Sequence, residues 1–172
     1  MINIRKGVFE TNSSSTHSIC ISKHDDYVLP STLYFKLGDF GWESEIYRDA
    51  EDLASYLWTA VVDFYSDCYS DYKMVEDYKN YLYEKLYEYG VECEFELPIY
   101  DEKYGWCVNA NIDHVADLED LLSSLRKSPR KLIRFLFSPD SFILCGNDNS
   151  DYYYDKHDEL DFSEVDEYYK GN

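Results

Sequence analysis

The sequence predicts a single α+β domain: a mixed or antiparallel sheet, a helical pair and further helices. Three observations carry this. Two segments repeat apolar residues at helical spacing, one segment alternates with period two, and the strand-like and helix-like stretches lack a strict βαβ rhythm. The 172 residues amount to about one domain. A composition 45% hydrophobic and 30% charged is that of a globular chain.

Residues 2–9 lean toward strand. Residues 10–18, E-T-N-S-S-S-T-H-S, are turn formers, with a strand resuming at 19–21. Residues 33–37 form another short strand, ended by Gly38 and Gly41. Asp49 begins a helix whose first turn holds Glu51 and Asp52, where the dipole favours acids. Leu53, Tyr56, Leu57, Ala60, Val61 and Phe64 form its core stripe. A second helix starts near Asp71, with Val75, Tyr78, Leu82, Leu86 and Tyr89 inward and Gly90 as its stop. The two helices are expected to pair antiparallel.

Residues 91–97 alternate apolar and acidic residues, the clearest strand in the chain. A hairpin to residues 104–110 is expected. Helices are predicted over 114–125 and 129–137, the latter with Ser128 as N-cap and Pro129 at the first position. Residues 141–145 read as a buried strand. The domain is expected over 1–150. Residues 151–172 form an acidic, tyrosine-rich tail, either flexible or packed on that domain.

The 35 acids and 16 bases give a net charge of −19. The excess lies in residues 41–104 and 146–172, and the rest is balanced. Such charge repels phosphate, which argues against direct nucleic-acid or anionic-membrane binding. No apolar run approaches the ~20 residues needed to span a bilayer, and residues 1–9 lack the core of a secretory leader. The five cysteines are odd in number and show no C-x-x-C spacing, as in reduced cytosolic proteins. Arg126, Lys127, Arg130, Lys131 and Arg134 fall in an acid-free stretch. They are expected chiefly to pair with the acidic tail, the rival reading being a phosphate contact.

Many of the 19 tyrosines are interleaved with acids. Tyrosine is a rigid amphipathic contact residue, and carboxylates steer a basic partner. The candidate interface comprises Asp63, Tyr65, Asp67, Tyr69, Asp71 and Tyr72, then Glu92, Glu94, Glu96, Tyr100, Asp101 and Glu102. The plain alternative is a solvated acidic surface.

A second constellation is polar. Ser14, Ser15 and His17 combine hydroxyls with an imidazole, suited to anion binding or to a serine nucleophile. With Asp113, His114 and Asp148, His17 offers ligands for a divalent metal, though no spacing is diagnostic. The plain alternative here is a hydrogen-bonded turn. No other cofactor is indicated.

Residues 5–18, R-K-G-V-F-E-T-N-S-S-S-T-H-S, resemble the opening of a family of uncharacterised proteins from phages and mobile elements of Gram-positive bacteria. The shared motif of that family runs F-E-T-N-S-S-S-x-H-S. G-D-F-G-W-E at 38–43, I-D-H at 112–114 and G-N-D-N at 146–149 are similar to it as well. The resemblance implies a phage accessory protein in a bacterial cytoplasm. Small acidic proteins of that setting often inhibit host nucleases by imitating DNA, which is an analogy of setting.

Two functions are therefore expected. The first is an acidic inhibitor, of anti-CRISPR or anti-restriction type, covering the basic nucleic-acid-binding surface of a host protein. The alternative is a metal-dependent hydrolase acting on a nucleotide or phosphoester.

Overall fold

A twenty-residue helix, α1 (Ala50–Tyr69), is the axis of the core. Its start follows the sequence: the Asp49 carbonyl accepts from the Leu53 N–H at 3.0 Å. Leu53, Tyr56, Leu57, Ala60 and Val61 are fully buried, as is Trp58. The computed structural model describes residues 15–41, 44–69, 72–101, 107–113, 118–147 and 151–171. The strand expected over 2–9 lies outside these.

Helix α2 (Tyr72–Glu88) packs on α1 through Val75, Tyr78, Leu82 and Leu86. Gly90 stops it at φ +79°, in the left-handed region that favours glycine. The Val91 N–H reaches the Leu86 carbonyl at 3.0 Å and the Gly90 N–H that of Tyr87 at 2.9 Å, a Schellman closure.

An antiparallel sheet is ordered β4 (Glu45–Tyr47), β7 (Phe142–Asn147), β1 (Ser15–Ser22), β8 (Val165–Gly171). Strand β1 is buried along its whole length. Residues 15–18, expected in a turn, are thus part of an interior strand. Hydroxyl partners from distant elements make this tolerable: Ser18 Oγ meets Tyr153 Oη at 2.6 Å and Tyr168 Oη at 2.9 Å.

Two short parallel pairs flank the helices: β2 (Thr32–Phe35) with β5 (Glu92–Phe95), and β3 (Asp39–Phe40) with β6 (Asn111–Ile112). The strand expected over 91–97 therefore pairs with β2, and among the described residues β5 has no ladder to the segment expected as its hairpin partner at 104–110. The two helices between β2 and β5 supply the crossover that a parallel pair requires. Among the described residues, the bridge between Tyr100 and Cys107 and a bond from the Val108 N–H to the Ile99 carbonyl at 2.8 Å join the segments expected as a hairpin.

Helix α3 (Leu118–Lys127) buries its four leucines, and α4 (Pro129–Phe137) begins as the sequence predicts. Ser128 Oγ accepts from the Lys131 N–H, with Pro129 in the first turn. The outer face of α4 is neutralised from within. Arg130 and Arg134 share Asp25, Arg134 also reaches Asp166 at 3.3 Å, and Lys131 pairs with Glu167. Residues of the acidic tail thus form α5 (Asp151–Glu159) and the edge strand β8. Among the described residues, no helix is long and apolar enough to cross a membrane.

Candidate functional site

His17 projects from the middle of the sheet and is completely buried. Its Nε2 lies 2.8 Å from the backbone carbonyl oxygen of Asp113. A carbonyl only accepts, so Nε2 carries the proton and Nδ1 is the acceptor. Nδ1 faces Tyr56 Oη at 3.1 Å and Cys145 Sγ at 3.2 Å. Burial holds both the phenol and the thiol well above their ordinary pKa values, so both keep their protons and act as donors. In this arrangement neither ring nitrogen offers a metal a free lone pair.

Ser15 stands two residues back on β1, and its hydroxyl donates to Asp113 Oδ2. Ser15, His17 and Asp113 therefore converge, although Asp113 meets the histidine through its backbone. Gly41, at φ +108°, closes the same spot: a Cβ there would sit 2.8 Å from His17 Nε2 and 3.1 Å from Asp113. Across the sheet, Ser15 pairs with Asn147 and Thr16 with Gly146. A Cβ on Gly146 would meet Tyr153 at 2.8 Å and Ser44 Oγ at 3.2 Å. Four stretches far apart in sequence, at β1, Gly41, Asp113 and Gly146, thus come to one end of the sheet. Ser14, His114 and Asp148 lie outside the described residues. Among the described residues, no group of three or more His, Cys, Asp or Glu is placed to hold a metal.

The acidic, tyrosine-bearing residues divide. Asp63 is half-buried and its Oδ2 accepts from the Ile112 N–H at 3.1 Å, which anchors β6 to α1. Tyr65 packs against the core, edge-on to Phe64. Glu96 is exposed, but its carboxylate accepts from the Leu37 N–H at 3.0 Å and is also bonded by Asn109. Glu92 and Glu94 are exposed on β5, opposite Thr32 and Tyr34 of β2. Tyr72 donates to Glu76 and meets Tyr100 edge-on with ring centres 6.0 Å apart. Asp101 is half-buried next to that tyrosine. Asp67 and Tyr69 fall in the last turns of α1, where side chains are not described. Asp71 and Glu102 lie outside the described residues.

The exposed pair Tyr83 and Tyr87 was not expected in the site. Their rings stack nearly parallel, 9° apart with centres at 6.2 Å, and are 49% and 64% exposed. They stand four apart on α2, off its apolar stripe and beside Glu84 and Glu88. The signal was in the sequence as two aromatics on a charged helix face. By contrast, nothing in the sequence pointed to Tyr56 and Cys145 as partners of His17.

Comparison with known proteins returns no matching family model, no similar curated protein and no similar solved structure.

Proposed function

We propose that the protein is an acidic binding protein that covers the basic nucleic-acid-binding surface of a partner, as a phage-borne inhibitor of a host defence nuclease or DNA-binding protein would. The observation that carries this reading is how the positive charge is used. Lys23, Lys36, Lys79, Lys85, Lys156 and the α4 cations each pair with a carboxylate of the same chain. The net excess of acid is left for the surface, and aromatic anchors stand within it. Tyr83 and Tyr87 on α2, and Tyr34 beside Glu94 on β5, present flat rings next to carboxylates. Arginine side chains stack on such rings while pairing with such acids.

The test uses the immobilised full chain and a nuclease-treated bacterial lysate, eluted with rising salt. One nucleic-acid-binding protein, retained at low salt and released sharply as salt screens the contact, is the expected result. Glu92→Lys with Glu94→Lys should abolish retention while the fold persists. Glu96 is left unchanged because its carboxylate bonds the chain. Unchanged retention by the double variant would exclude the β5 face.

A second reading is favoured by the convergence of Ser15, His17 and Asp113 with Gly41 and Gly146. In it the protein is a metal-assisted hydrolase of phosphoesters. Asp113, with His114 and Asp148, would hold the ion, Ser15 would contact substrate, and His17 would brace the site from beneath. Turnover of bis-p-nitrophenyl phosphate with added Mn²⁺ or Zn²⁺, lost in Asp113→Asn, would support it. Absence of metal-dependent turnover in the intact chain would end it.

A further inference from the structure

A cleft of about 560 Å³ lies where the end of α1, the start of α2 and one face of α3 meet. That volume is in the range of small-molecule sites. Phe64, Tyr65 and Met74 give it an aromatic, polarisable wall. Glu119, Ser123, Arg126 and Lys127 also line it, and their spacing places all four on one side of α3.

The two cations differ from most of the described lysines and arginines, which pair with carboxylates. Among the described residues no carboxylate lies within ion-pair distance of Arg126 or Lys127, whereas the neighbouring α4 cations are all paired. Arg126 is held over the Tyr78 ring at 5.8 Å, an attachment that leaves its N–H groups available. Both cations also lie in the last turn of α3, where positive charge suits the helix dipole. That role alone would not require aromatic residues lining the same cleft.

We propose that this cleft binds a nucleoside monophosphate. The base stacks against Phe64 and Tyr65, and the phosphate pairs with Arg126 and Lys127. Ser123 donates a further hydrogen bond, and Glu119 accepts from a sugar hydroxyl or an exocyclic amine. The overall charge selects a small ligand, since a dianion suffers far less repulsion than a strand carrying one charge per nucleotide. The cleft shares Tyr65 with the first group of candidate interface residues but none with the β5 face or the His17 cluster, and it stands whether or not either reading holds.

The test is calorimetric titration of the full chain at low ionic strength with AMP, GMP, CMP and UMP, with adenosine and inorganic phosphate as comparators. At least one nucleotide should bind with a Kd below about 1 mM, and adenosine and phosphate should each bind about tenfold or more weakly. Arg126→Gln with Lys127→Gln, both at exposed positions, should weaken the nucleotide about tenfold or more while thermal unfolding stays in place. Lys127→Gln alone, which spares the contact with Tyr78, should give an intermediate loss. Ring-proton shifts of Phe64 and Tyr65 on binding would locate the base. No nucleotide binding up to about 5 mM, equal binding by the double variant, or phosphate binding as tightly as the nucleotide would each overturn the proposal.

Discussion

The imidazole of His17 donates to the backbone carbonyl of Asp113 across 2.8 Å, joining residues 96 positions apart. One ring thereby ties β1 to the end of β6, while its other nitrogen takes Tyr56 of α1 and Cys145 of β7. Three layers of the fold meet at a single side chain. His17→Ala would remove the ring that bonds the half-buried Asp113 carbonyl and the buried Tyr56 phenol, and would open a cavity. The expected cost is about 3 kcal/mol in urea denaturation. A variant as stable as the parent would show that the ring is not the tie described.

Gly41 tests the same junction from the outside. Its φ of +108° is strained for any side chain, and a Cβ would meet His17 Nε2 at 2.8 Å. Gly41→Ala should lower stability by about 1–3 kcal/mol, seen as a fall in Tm. An unchanged Tm would mean that the backbone at 41 relaxes freely.

Acid should loosen the clamp between α4 and β8. Burial opposes ionisation of Glu167, but hydrogen bonds from Lys131, Tyr169 and Ser124 outweigh it and depress the pKa. A carboxylate depressed in the folded state stabilises above its unfolded pKa, and that contribution disappears as pH falls through the folded value. Glu167→Gln should therefore be less stable than the parent at pH 7, by about 1 kcal/mol for a partly solvent-screened pair. The difference should shrink as pH falls below the ordinary Glu value of about 4.3. Unfolding free energies measured across this range check it, and a gap that widened in acid would contradict the assignment.

Thiol reactivity should report depth. Burial raises the Cys20 and Cys93 thiols to about 12, against slight opposition from Arg48 at Cys20, and it raises Cys107 and Cys145 too. Cys20 and Cys145 are fully enclosed, while Cys93 and Cys107 are partly open. With iodoacetamide near pH 8, peptide mass spectrometry should find the first two unlabelled when the other two have begun to react. Labelling of Cys145 at the rate seen in urea would show that the sheet opens readily.

Helix boundaries were legible because their signals are local. Ser128 and Pro129 start α4 through a cap within one turn, and Gly90 ends α2 through its own φ. The stripe from Val75 to Leu86 needed only helical periodicity. Strand placement was less legible because it depends on remote partners. Ser15 and Ser18 look like turn residues until Asp113, Tyr153 and Tyr168 arrive to bond them. The alternation in residues 91–97 marked a strand but could not say that β2, some sixty residues earlier, lies beside it in parallel. Likewise the candidate acids looked alike in sequence. Only the fold separates Asp63 and Glu96, which bond the backbone, from Glu92 and Glu94, which face outward.

Pairing of β1 with β8, which sets His17 opposite Gly171, has a consequence for synthesis. At roughly 5–20 residues per second, a ribosome needs on the order of 7–30 s to make the chain between these two strands. For most of that interval β1 lacks both of its sheet partners, since β7 at 142–147 is made only shortly before β8, and its edges are open to other polypeptides. The sheet is finished only after residues 165–171 have emerged, so folding of the core closes late, against a large loop entropy. A message read only to residue 150 would yield a chain with an exposed sheet edge, a substrate for chaperones and proteases.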